Sequence, residues 1–264
     1  MKTTISTLLK MHKNGEKFTV LTCYDALFAT LLEDCGVDVL LVGDSLGNVV
    51  QGKETTLSVT LEHMVYHTQC VARGAEKAFI MVDMPFGTSQ LSPERTFENA
   101  CQLMAAGAQM VKIEGGRIMA DTIQFLTQRG IPVCAHVGLT PQSIHQLGGY
   151  KIQGNTEIKA KALLEDAKIL EKSGANMLLM EVIPAKLAKQ ISTVLSIPTI
   201  GIGAGADCSA QVLVLHDMLG LCTGKKIKFI KNFMEGSSTI QDAVCNYVKA
   251  VKASQFPGQE HEFH

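Results

Sequence analysis

Strand-length apolar runs recur along the chain with almost no polar interruption, at 18–24, 37–43, 78–82, 110–113, 131–137, 177–180 and 197–202. An eighth run, at 212–216, is weaker. A strand with one wet face alternates polar and apolar residues. Runs that do not alternate belong to strands covered on both faces, the condition of a parallel sheet. The intervening segments carry helix signals. Ser92 is placed to cap a helix over 93–107, with Pro93 at its first position and Gly107 at its stop. Further helices are expected over 4–13, 60–73, 117–129, 157–173 and 184–195. The pairs Gly36-Val37, Gly107-Ala108, Gly130-Ile131 and Gly174-Ala175 place a helix stop directly before a strand start, as αβ loops do.

Strand–helix alternation throughout a chain means parallel α/β architecture. Seven or eight such units in 264 residues favour a closed (β/α)8 TIM-type barrel over an open sheet. The gap over 205–211 is too short for a crossover helix, so the seventh unit should be degenerate. Residues 225–253 read as two extra C-terminal helices. With the helix at 4–13 in front, residues 1–264 are expected to form one barrel domain.

Composition excludes several classes. The net charge is -1 without a basic block, so no nucleic-acid surface is indicated. No apolar stretch approaches a membrane span, and the first residues, broken by charge, lack a signal-peptide core. The eight cysteines contain no Cys-x-x-Cys pair, which disfavours a zinc site and fits reduced thiols in the cytoplasm.

In a barrel the strand C-termini face the active site. The residues ending the runs are Asp25, Asp44 with Ser45, Asp83, Lys112 with Glu114, His136, Glu181 and the turn 201–205. A carboxylate ending an apolar strand is costly to bury unless a cation meets it. Asp44, Asp83 and Glu114 on successive strands suggest one shared hard divalent ion. The competing role for each Asp is helix capping. Lys112 and Glu114, two apart on a strand, share a face. They fit either a mutual ion pair or a substrate-holding cation beside a metal-linked acid. Glu181, flanked by apolar residues, suits a general base, with a rim salt bridge as the alternative. His136 is either a hydrogen-bonded core histidine or a catalytic or ligand residue. The turn 201–205 could cradle phosphate. Cys23 and Cys134 lack an evident base and read as filler. His63 and His67 lack the Glu of a zincin motif.

The segments 41–47 (Leu-Val-Gly-Asp-Ser-Leu-Gly), 83–86 (Asp-Met-Pro-Phe), 111–116 (Val-Lys-Ile-Glu-Gly-Gly), 138–143 (Gly-Leu-Thr-Pro-Gln-Ser), 148–154 (Gly-Gly-Tyr-Lys-Ile-Gln-Gly), 200–205 (Ile-Gly-Ile-Gly-Ala-Gly) and 231–233 (Lys-Asn-Phe) together resemble the 3-methyl-2-oxobutanoate (ketopantoate) hydroxymethyltransferase family. The resemblance implies transfer of a hydroxymethyl group from 5,10-methylenetetrahydrofolate to 3-methyl-2-oxobutanoate through a Mg-stabilised enolate. That step leads to pantothenate and coenzyme A. It also implies a cytoplasmic homodecamer of barrels. By motif it assigns Asp44, Asp83 and Glu114 to Mg2+, and Asp44, Ser45, Asp83 and Lys112 to the 2-oxoacid. Glu181 becomes the proton acceptor. The folate site is unmarked, with loops 84–92 and 138–156 as candidates. The rivals are a Mg-dependent 2-oxoacid or phosphoenolpyruvate-type lyase or mutase on the same scaffold, and a barrel without catalysis.

Overall fold

The apolar runs become eight strands: β1 (Phe18–Thr22), β2 (Val39–Val42), β3 (Phe79–Asp83), β4 (Met110–Glu114), β5 (Val133–Gly138), β6 (Met177–Glu181), β7 (Thr199–Ile202) and β8 (Ala210–Leu213). The computed structural model describes residues 2–221 and 227–264. Each strand pairs in parallel with its sequence neighbour, and β8 closes on β1 to complete the barrel. Among the described residues no helix is long and apolar enough to cross a membrane.

Side-chain alternation divides the strands between two cores. Val20, Val39, Leu41, Phe79, Met81, Met110, Cys134, Met177, Leu179, Ile200 and Val212 pack together with Leu8 of the N-terminal helix Ile5–Lys13. The odd or even partners of these residues, such as Leu21, Leu40, Val82, Val111, Ala135 and Leu178, pack in the larger cluster shared with the surrounding helices. The first set therefore fills the barrel and the second faces the helix ring. Continued in steps of two toward the strand C-termini, the filling set runs into Asp83, Lys112, Glu114, His136 and Glu181. Their inward position follows from the register that buries the strands.

The expected helices form with small shifts. Thr4 caps the first, accepting from the Thr7 N–H at 3.2 Å. Leu61–Gly74, Pro93–Ala106, Glu157–Lys172 and Ala185–Val194 follow. The segment 117–129 is a 3-10 turn (Arg117–Met119) leading into Ala120–Thr127. No helix lies between β7 and β8, as the short gap requires. Two expectations are corrected. The eighth strand is Ala210–Leu213, and Leu215–Met218 is helical, because the apolar run continues unbroken past the strand end. Within 227–253 only Ile240–Lys252 is helical, while 227–239 forms turns; residues 225 and 226 of that expectation lie outside the described ones.

Gly138 ends β5 at φ +93°, and a Cβ there would sit 2.3 Å from the Glu181 carbonyl oxygen. Only glycine lets β5 approach the end of β6 this closely. Directly after Glu181, Val182 adopts φ 48°, a conformation β-branched residues rarely take. Bonds from Val182 N–H to Ile202 O (2.9 Å) and from Gln153 N–H to Val182 O (3.0 Å) hold it there.

Asp25, one of the acids following β1, is resolved as a helix cap. Its Oδ1 accepts from the Phe28 N–H at 2.9 Å at the start of Ala26–Asp34. Asp25→Ala is expected to lower stability by about 1 kcal/mol, read in urea denaturation. Divalent-ion binding measured by calorimetry should be unchanged, and weakened binding would return Asp25 to the site.

Candidate active site

Asp44 and Ser45 follow β2, Asp83 ends β3, Lys112 and Glu114 lie on β4, His136 lies on β5, and Glu181 ends β6. Strand register sets Asp83 beside Lys112 and Glu114 beside His136. All seven predicted positions meet at one mouth of the barrel. The Asp44 N–H donates to Asp83 Oδ2 at 2.9 Å. Lys112 Nζ lies 3.1 Å from Asp83 Oδ1 and 3.6 Å from Glu114 Oε1. It also lies 3.2 Å from His136 Nδ1. His136 Nε2 lies 3.2 Å from Glu181 Oε2. Ser45 Oγ is held 2.9 Å from the hydroxyl of Tyr24, a buried residue at the end of the first run.

Asp44, Asp83, Lys112, Glu114 and His136 are buried, whereas the Glu181 side chain is 16% exposed. Glu181 is thus the acid of the set that reaches toward solvent.

Burial sets the electrostatics. It pushes the Asp44 carboxyl well above the usual carboxylate range, and the charges of Asp83 and Glu114 push it further. Burial likewise raises Asp83, against the pull of Lys112. Burial opposes charge on Glu114, but His136, Lys112 and the Gln142 amide outweigh it and hold the carboxyl below its ordinary value. Burial also works against the Lys112 charge. Asp83, Glu114 and Asp44 overcome it, so Lys112 keeps its proton more firmly than a free lysine. For His136, burial and Lys112 favour the neutral ring, while Glu114 and Glu181 prevail and raise it.

Neither Asp44 nor Asp83 caps a helix. The helix Leu46–Val49 starts at Ser45 without a side-chain cap. The fold holds Asp44 and Asp83 toward their protonated forms and His136 toward its charged form, so protons balance this acid cluster where a divalent cation would otherwise do so. Asp83 Oδ1 is buried without a hydrogen bond, although Lys112 is near it. An all-oxygen, carboxylate-rich donor set suits a hard ion. The residues present therefore fit such an ion. They do not form a closed cage: among the described residues no group of three His, Cys, Asp or Glu donors already surrounds one point.

Three sets of sequence candidates lie elsewhere in role. At the turn 201–205, the nearby Ala206 N–H donates to Glu262 Oε1 at 3.2 Å. Gly203 lies beneath Phe229 and Phe263, so the turn is covered by the C-terminal segment rather than open to phosphate. Cys23 and Cys134 are buried free thiols pushed up to about 12 by burial, unsuited to attack. His63 makes a local bond with the Thr60 N–H at 3.1 Å, and His67 bonds the Tyr24 carbonyl at 2.7 Å.

Gln142 is the residue sequence reasoning missed. It is buried in the loop after β5 and donates from Nε2 to Asp44 Oδ2 at 2.8 Å. A Gln in a loop carries no periodicity that would mark it. Only its place in the 138–143 segment pointed near it. Tyr150, in the following loop, is pushed upward by partial burial and then by the charges of Glu181, Asp44 and Glu114.

A family model described as ketopantoate hydroxymethyltransferase matches residues 2–259. A 3-methyl-2-oxobutanoate hydroxymethyltransferase from Nitrosospira multiformis is 67% identical over 263 residues, covering 100% of both chains. One from Nitrosomonas eutropha is 64% identical, covering 98% of this chain and 97% of its own. Among solved structures, a phosphonopyruvate hydrolase in complex with oxalate and Mg2+ aligns with TM-score 0.63 at 14% identity, covering 83% of each chain. A 2,3-dimethylmalate lyase aligns with TM-score 0.58 at 16% identity, covering 98% of this chain and 100% of its own. These two share the fold.

The raised Asp44 carboxyl has a consequence with a definite sign. Unfolded, Asp44 releases its proton near its ordinary value of 3.8, whereas the fold keeps that proton to higher pH. Metal-free protein therefore loses stability as pH rises through this interval. Asp44→Asn is expected to match wild type at low pH and to gain on it as pH rises, in urea titrations with a chelator. A gap independent of pH would contradict the assignment.

Proposed function

Since the chain belongs to the ketopantoate hydroxymethyltransferase family, transferases of the pantothenate pathway, we propose that it moves a hydroxymethyl group from 5,10-methylenetetrahydrofolate to 3-methyl-2-oxobutanoate. The observation that carries this reading is the buried Asp83–Lys112–Glu114–His136 network ending at a partly exposed Glu181. A 2-oxoacid needs a site that binds an anion, polarises a ketone and removes a proton from carbon. This mouth supplies groups for all three.

Asp44 and Asp83 would hold Mg2+, with Glu114 reaching it through a water, since Mg2+ usually keeps several waters. When bound, the ion would supply Lewis-acid polarisation of the substrate keto group, worth several kcal/mol. The solved structure of the phosphonopyruvate hydrolase with oxalate and Mg2+ supports this by likeness of scaffold. The remaining chemistry belongs to the chain. Lys112 balances the charge of the substrate carboxylate, with Ser45 placed beside it by Tyr24. Glu181 takes the C3 proton, a contribution on the order of 10²–10⁴-fold for a positioned base. His136, 3.2 Å from its carboxylate, steadies the group that gains and loses that proton. The resulting enolate carbon bonds to the one-carbon unit of the folate as one of that unit's two carbon–nitrogen bonds breaks. Water replaces the other carbon–nitrogen bond, giving the hydroxymethyl group and releasing tetrahydrofolate.

Location in the cytoplasm and assembly into a homodecamer belong to the same proposal. They rest on the family resemblance, and the exposed Leu27, Ile118 and Ile158 are apolar surface that assembly would cover.

Glu181→Gln is expected to abolish exchange of the C3 proton of 3-methyl-2-oxobutanoate in heavy water, followed by NMR, while binding of the 2-oxoacid persists. Full exchange in the variant removes Glu181 from the base role. Asp83→Ala is expected to weaken Mg2+ binding strongly in calorimetry, and an unchanged affinity counts against the metal assignment. Wild type should form product from 3-methyl-2-oxobutanoate only when the folate is supplied.

A further inference from the structure

We propose that Gln142 is the positioning residue of the acid pocket, fixing the carboxylates of Asp44 and Glu114 in the arrangement that receives the divalent ion. The inference rests on the metal reading above and extends it to a residue outside the donor set.

The topology creates the need. Asp44 follows β2 and Glu114 lies on β4, with β3 between them in the barrel. No strand ladder sets the spacing of these two acids directly. Gln142 spans them from the loop after β5. Its backbone N–H donates to Glu114 Oε2 at 3.0 Å. Its Nε2 donates to Asp44 Oδ2 at 2.8 Å and to the Met84 carbonyl at 2.9 Å. Its Oε1 accepts from Gln90 Nε2 at 3.2 Å.

Both amide hydrogens are thus assigned to acceptors, and the carbonyl oxygen to a donor. The opposite rotamer of the amide would set an oxygen against the Asp44 carboxylate and the Met84 carbonyl, so the orientation is dictated by the partners. The bond to Met84 places the amide one residue from Asp83. Gln90 in turn accepts from the Gly87 N–H at 2.8 Å, tying loop 84–90 into the same knot.

The choice of an amide is chemically specific. A lysine or arginine reaching Asp44 would hold it equally well but would compete with a cation for the carboxylate. A neutral donor orients the carboxylate and leaves its charge in place. Hydrogen-bonding partners of metal ligands act in this way, and their loss typically costs about 10–100-fold in metal affinity.

The test uses Mg2+ alone with the full chain in three forms, wild type, Gln142→Met and Gln142→Asn. Methionine keeps the length and loses the donors. Asparagine keeps an amide one methylene too short to reach Asp44. In both, the backbone bond to Glu114 is unaffected by the side chain. Calorimetry and the Mg2+-dependent rise of the melting temperature should show both variants binding about 10–100-fold more weakly, the cost typical of losing a ligand's hydrogen-bond partner. Their turnover should recover as Mg2+ is raised. A residue that merely pins a loop would lower the melting temperature in chelator and leave Mg2+ affinity alone. If Gln142→Met fails to fold, Gln142→Asn decides. Folded variants that bind within about twofold of wild type, far short of that typical loss, overturn the role of Gln142 alone. A wild type that binds no Mg2+ overturns the metal reading itself, and this proposal with it.

Discussion

The ammonium of Lys112 is the interaction on which the mouth of the barrel depends. It is buried, lies 3.1 Å from Asp83 and 3.6 Å from Glu114, and meets His136 Nδ1 at 3.2 Å. Burying a charge is affordable only when partners replace its water. Asp83 and Glu114 do so for Lys112, and those two acids could not both stay charged at this depth without it. Removing one partner from such a group typically costs about 3–5 kcal/mol, because a bare charge is left behind. Yet one lysine does not balance three acids. The remainder falls on Asp44, whose burial makes its charge the least comfortable of the set. In the metal-free fold Asp44 meets this by keeping its proton, and a cation at the mouth would displace that proton, which is how the electrostatics would connect to the proposed chemistry.

The barrel delivers these groups at little extra cost. The same alternation that sends Met81, Met110, Cys134 and Leu179 into the interior sends Asp83, Lys112, Glu114, His136 and Glu181 inward at the rim. Placement of the chemistry and packing of the core are one geometric fact. Where the rim departs from regularity, the departure lies next to the proposed base. Gly138 admits the Glu181 carbonyl, and Val182 takes a backbone conformation costing of order 1–3 kcal/mol. Strain of this kind persists when neighbours over-determine it, and here the Ile202 and Gln153 bonds do so.

What could be read from the residues follows from what leaves a mark in a single chain. Uninterrupted apolar runs recorded burial on both faces, so the strands, their parallel order and the missing helix between β7 and β8 were legible. The acids ending those runs were legible for the same reason, since Asp83 and Glu114 break an apolar pattern. Asp25 looked the same and is a cap, because a residue just beyond a strand can turn toward either the rim or the next helix. The eighth strand was placed two residues late because its apolar run continues into the helix Leu215–Met218. Of the two tail helices expected over 225–253 one forms, and turns at 227–239 stand in place of the other.

Gln142 shows the deeper limit. Its importance comes from reaching two acids and a carbonyl across 98, 28 and 58 residues of chain, a relation no local pattern contains. Strand-end acids announce themselves by the energetic oddity of charge beside apolar residues, whereas a neutral amide in a loop is unremarkable until its partners are seen. A site of this kind has two tiers of legibility. Groups that carry charge are visible in sequence because burying them is expensive. Groups that orient them are cheap to bury once bonded, and only the folded chain shows where those bonds lead.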